Sequence, residues 1–230
     1  MTWIDDPANE SETSLRAQAR KALQGGRLDG EVDLVLPLRS EVMAVMAEDA
    51  GLEGLGVLRF RAAGLAALTR ETAVKLMAAA AVSAGGGDRL PRRHSVETVL
   101  AGLAGGKVHT LCGARIRQQG DVIQVVREAG EMARNPNPTQ GAMWDGRFEL
   151  MNTVFPVVAS GPVRRRLDRS AQRFLTTLPA ELRAILPVVE ADAGPVLAHL
   201  LSPDLYETVK DWVLPRFLNA VCRIERETDL

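Results

Sequence analysis

The sequence predicts an α+β fold: a helical N-terminal region, then a mixed region with an antiparallel β-hairpin and a few strands flanked by helices. Three observations carry this expectation. Apolar residues recur at helical spacing from Ala66 to Val82, a stretch that stops at Gly85-Gly86-Gly87. The period drops to two between His109 and Arg127, around the polar turn Gln119-Gly120-Asp121. The first fifty residues carry two helical stretches, from about Ser11 to Leu23 and over Ser40–Asp49.

Each element follows in order. Trp3 to Asn9 reads as an extended segment and turn, and Asn9 with Glu12 forms an N-cap pair for a helix from about Ser11 to Leu23, stopped by Gly25-Gly26. A second helix is expected over Ser40–Asp49, and a short strand within Gly54–Phe60. After the Ala-rich helix, Pro91-Arg92-Arg93 opens another over Ser95–Ala104. The hairpin follows, then a loop over Gly130–Gly141, where Asn135-Pro136-Asn137-Pro138 excludes regular structure. Trp144–Leu150 reads as one strand, Val163–Thr177 as a helix, and further helices are expected around Pro179–Ile185 and Leu205–Val221.

Composition narrows the function classes. The chain has 230 residues, 46% hydrophobic and 25% charged, an ordinary globular profile. With a net charge of −1 it is no polycation, so a nucleic-acid site must come from local clustering of arginine. Aromatics at 4% argue against base-stacking platforms. Cys112 and Cys222 lie outside any metal-ligand spacing and are expected to be reduced. The start lacks a signal-peptide pattern and the longest apolar run, near Leu76–Ala84, is short of the ~20 residues of a membrane span, so a cytoplasmic protein without membrane contact is expected.

Four short motifs then resemble one family. Trp3-Ile4-Asp5-Asp6-Pro7-Ala8-Asn9, with Arg16 and Arg20 after it, is similar to the segment that leaves the catalytic domain of bacterial tRNA(Ile)-lysidine synthetases. Gly85-Gly86 followed by Leu90-Pro91-Arg92 and a helix resembles that family's Gly-Gly, Pro-Pro-Arg block. Thr110-Leu111-Cys112-Gly113-Ala114-Arg115-Ile116, closing in Arg127-Glu128, resembles its Thr-Leu-Gly-Gly-Cys hairpin, and Trp144-Asp145-Gly146-Arg147-Phe148 its Trp-Asp-Gly-Arg-Phe strand. The motifs stand in the family's order and cover residues 3 to about 150. Ser14 replaces a usual aromatic, Gln18 a frequent arginine and Leu90 a proline, while Cys112 and Ala114 look like a swapped Gly and Cys.

The resemblance implies the C-terminal, tRNA-handling region of an enzyme that adenylates the wobble cytidine of an isoleucine tRNA with ATP and joins lysine to it. That chemistry belongs to an N-terminal domain with a Ser-Gly-Gly-x-Asp-Ser loop. Ser83-Ala84-Gly85-Gly86-Gly87-Asp88 is superficially close but follows an Ala-rich helix and precedes Arg89-Leu90-Pro91, the wrong context for phosphate. The expectation is therefore a chain inactive alone, with ATP and magnesium belonging to a catalytic domain supplied in cis or in trans and isoleucine tRNA as partner; a homodimer is left open. On this reading residues 1–50 are a helical segment following the catalytic domain, 51–130 a helix–hairpin tRNA-binding domain, and 131–230 a C-terminal α+β region.

The candidate RNA-binding residues are arginines, each weighed against a solvated surface. Arg16 and Arg20, four apart, share a helix face; Arg92 and Arg93, with His94, sit at a helix start; Arg115 and Arg117 alternate onto one face of a strand; and Arg164, Arg165 and Arg166 lead the densest positive run, which continues to Arg173. Trp144 to Phe148 reads as a structural corner, with Trp144 and Phe148 toward the core and Asp145 paired with Arg147. His109 and His199 lack a second ligand at metal spacing and read as structural. No nucleophile–base arrangement is assembled and Asp5-Asp6 reads as a turn and cap, so no catalytic residue is expected. The rival expectation is a protein-interaction module built on the same fold without RNA. The discriminator is whether Arg16, Arg20, Arg92, Arg93 and Arg164–Arg173 form one continuous positive surface.

Overall fold

In a computed structural model, the structure describes residues 41–49, 51–135, 139, 142–150, 155–200 and 209–228, with backbone only beyond Val221. The Trp3–Asn9 segment, the first expected helix, Arg16 and Arg20 lie outside these residues. By packing, the chain divides into Met1–Ala44 and Val45–Leu230, and the described fold belongs almost wholly to the second unit.

Its class is α+β, with three small antiparallel sheets. The first sheet is four-stranded, in the order β1 (Leu58–Arg61), β4 (Val122–Arg127), β3 (Ala114–Gln119), β2 (His109–Leu111). The expected hairpin is β3–β4, turning at Gly120 as the sequence predicts. The segment before it makes a third strand, because Cys112 and Gly113, both at positive φ, turn the chain back at Leu111↔Ala114. Register places Leu58, Phe60, Ala114, Ile116, Ile123 and Val125 on one face, and all six are buried.

That face packs on α2 (Arg70–Gly85), which follows a short helix α1 (Ala62–Ala67). Thr69 caps α2 by accepting from the Thr72 amide at 3.2 Å. Residues 76–85 of α2 are buried without a break. A helix apolar on all sides is a core helix: α2 packs on β3 and β4, on α3 (Arg93–Leu103) and on α7 (Val213–Thr228). Phe217 of α7 meets Phe60 edge to face, with centroids 5.6 Å apart.

Residues after Arg127 depart more from expectation. The start of the predicted loop is a helix, α4 (Ala129–Arg134), whose N-cap Glu128 accepts from the Glu131 amide. Trp144–Leu150 is a hairpin, β5 (Met143–Trp144) with β6 (Phe148–Glu149), since Asp145 and Gly146 adopt positive φ and reverse the chain. β10 (Lys210–Asp211) completes this second sheet.

The predicted Val163–Thr177 helix is broken. α5 (Ser160–Val163) and a 3-10 turn of Arg164–Arg166 precede α6 (Arg169–Thr177), which Asp168 starts by accepting from the Ala171 amide at 2.7 Å. Turns replace the helix expected at Pro179–Ile185. The third sheet, β7 (Val157–Ala159), β8 (Pro187–Ala191) and β9 (Gly194–Leu197), is absent from the sequence-based expectation. One apolar cluster joins Leu55 and Val126 of the first region to Met132, Trp144, Phe148 and the Val163–Ala198 stretch.

Candidate nucleic-acid interface

Residues of three motifs, Gly85-Gly86, Cys112-Gly113 with Arg127, and Asp145-Gly146-Arg147, converge on a buried junction. The Gly85-Gly86 end of α2 lies against the β2–β3 turn and the β5–β6 turn: a Cβ on Gly85 would overlap the Cys112 carbonyl oxygen, and one on Gly146 the Gly86 carbonyl oxygen. Only glycine lets three backbones meet so closely. Ser83–Asp88 is thus the C-terminal end of a helix, where the free carbonyls and the dipole disfavour phosphate.

Two fully buried arginines lock the junction. Asp145 accepts at Oδ2 from Arg127 Nε at 3.1 Å and from Arg147 Nε at 2.8 Å. Arg127 also donates to the carbonyls of Gly113 at 3.0 Å and Asn135 at 3.3 Å. Arg147 donates to the Ile185 carbonyl at 2.9 Å, and its guanidinium lies 4.9 Å from the Phe148 ring centroid. Burial pulls the Arg147 pKa below the ordinary arginine value, against the opposing pull of Asp145. Asp145 and Arg147 do pair, as expected, but inside the protein rather than on a wet strand face, because the chain turns between them.

Neighbouring polar groups tie α7 to the same place. Arg216 donates to the carbonyls of Gly146 and Gly87. Asp211 accepts from the Gly56 amide at 2.7 Å and from the Val213 amide at 2.8 Å, while burial raises its pKa. His199 bonds the Gly54 carbonyl through Nε2 at 3.0 Å and stands edge-on to Phe148; burial takes its pKa down to about 4. These groups are structural: they hold loops, and among the described residues no His, Cys, Asp or Glu cluster is arranged to hold a metal.

The exposed arginines are arranged differently. Arg92, Arg93 and His94 are exposed at the start of α3, where the cap residue gives no side-chain hydrogen bond and the first turn holds no acid. Arg93 Nε reaches Glu97 at 3.1 Å, and Arg70 from the start of α2 approaches the same carboxylate oxygen at 3.5 Å. The Arg93 hydrogen bond, more than any other influence, lowers the Glu97 pKa. Two helix starts therefore bring Arg70 and Arg93 to one carboxylate, with Arg92 next to Arg93 in the chain. Arg70 is not among the sequence-predicted residues, since nothing local links it to Arg93.

Arg115 and Arg117 share the outer face of β3 and are half-buried; Arg117 is paired with Glu181 of the later turn region. Arg164 is half-buried, and Arg165 and Arg166 are exposed, with Arg166 on Glu190 of β8 at 2.8 Å. No described residue partners both the α3 group and the Arg164–Arg166 group, and Arg16 and Arg20 lie outside the described residues. The two described groups rest on different elements, the α3 start and the 3-10 turn before α6.

Comparison with known proteins supplies a context for these clusters. No family model matches the chain, and no solved structure matches it. Among curated proteins its relatives are enzymes of tRNA modification. The chain is 33% identical over 213 residues to a tRNA(Ile)-lysidine synthase of Caulobacter vibrioides, a match covering 88% of this chain and 45% of that protein. It is 32% identical over 180 residues to the tRNA(Ile)-lysidine synthase of Ruegeria pomeroyi, covering 71% of this chain and 41% of that one. The chain is therefore a homologue of part of the tRNA(Ile)-lysidine synthases and spans less than half the length of these relatives. Among the described residues no helix is long and apolar enough to cross a membrane.

Proposed function

We propose that this chain is the tRNA-recognition portion of a tRNA(Ile)-lysidine synthase, cytoplasmic, holding isoleucine tRNA while an ATP-dependent domain, in cis or in trans, adenylates the wobble cytidine and attaches lysine. The observation that carries this reading is the α3 start, where Arg70 and Arg93 share the carboxylate of Glu97 and exposed Arg92 precedes Arg93 at a helix N-terminus free of capping side chains. Helix N-termini and clustered guanidinium groups both favour phosphate oxygens. Selection would rest on shape and backbone contacts, as suits a protein with few aromatics.

A second reading has its own observation: Arg93, Arg117 and Arg166 each already have a carboxylate partner, as a protein-interaction module without RNA would show. Electrophoretic binding to isoleucine tRNA over a salt series, with non-cognate tRNA as competitor, separates the two. The tRNA reading expects salt-sensitive binding that prefers the cognate tRNA. Replacing Arg92 and Arg93 by Ala should flatten the log K against log salt slope by about 0.7–0.9 for each phosphate no longer neutralised. Absence of binding at low salt would favour the protein-interaction reading.

A further inference from the structure

We draw no further inference here: the strongest candidate, the side-chain cluster in which Arg70 and Arg93 meet the Glu97 carboxylate at the starts of α2 and α3, belongs to the site already described.

Discussion

Arginine does opposite work in two regions of this protein. At the junction, Arg127 and Arg147 are 2% and 0% exposed and spend their donors on Asp145 and on backbone carbonyls. At the α3 start and the 3-10 turn, Arg92, Arg93, Arg165 and Arg166 are exposed; Arg93 pairs with the i,i+4 acid Glu97 and Arg166 with Glu190 of β8. Such exposed pairs contribute roughly 0–1 kcal/mol, whereas a buried guanidinium stripped of its counter-charge costs several times more. The difference lies in what surrounds the cation. Three converging turns offer carbonyls that need donors, while helix starts offer amides that would rather meet an anion.

The sharpest way to break this comparison is Asp145→Asn. It keeps the shape but leaves two buried cations without their shared carboxylate, and unfolding free energy from urea titration should fall by about 3–5 kcal/mol. A fall under about 1 kcal/mol would mean that the carbonyls alone hold the arginines, and the junction would no longer differ from the surface in kind.

A somewhat smaller effect is expected from Gly85→Ala. The new methyl would run into the Cys112 carbonyl, rigid backbone rather than a mobile side-chain end. A shift of α2 against β2–β3 should cost about 1–3 kcal/mol in the same assay, although alanine is the better helix former. Gly87→Ala meets nothing within 4 Å and serves as the control.

The two regions are also unequally legible in the sequence. The α3 arginines can be placed because Pro91 announces the helix that follows it, and Arg115 and Arg117 because the Gln119-Gly120-Asp121 turn announces their strand. The junction cannot, because its partners are far apart in sequence, and charged residues are by default outside. Arg127 meets Asp145 and Arg147 meets Ile185 only after the chain has folded. One local signal points the other way from the strand pattern around it: Asp145-Gly146 is a hairpin turn pair, and treating Trp144–Leu150 as a single strand puts Asp145 and Arg147 on a wet face. The third sheet is hidden by short strands; β8 opens with a proline, which turns a strand pattern into an ambiguous one. The break before α6 is written in Asp168, a capping residue inside a run that reads as one helix.

Protonation sets a last and smaller effect, at His199 beside the junction. In the folded protein His199 titrates at about 4, against 6.5 unperturbed, because burial disfavours its charged form. The unfolded chain therefore binds a proton between those values that the folded chain refuses, and stability is lost as pH falls through that window. From pH 7.5 to pH 5 the loss from this one group should be about 2 kcal/mol. Asp211 works in the other direction, since its raised pKa favours the folded state at low pH. The difference between wild type and His199→Gln isolates the histidine. Wild type should lose about 2 kcal/mol more than the variant between the two pH values. Equal losses in wild type and His199→Gln would mean that the imidazole can reach water in the folded state, and that the junction is less closed than its buried arginines require.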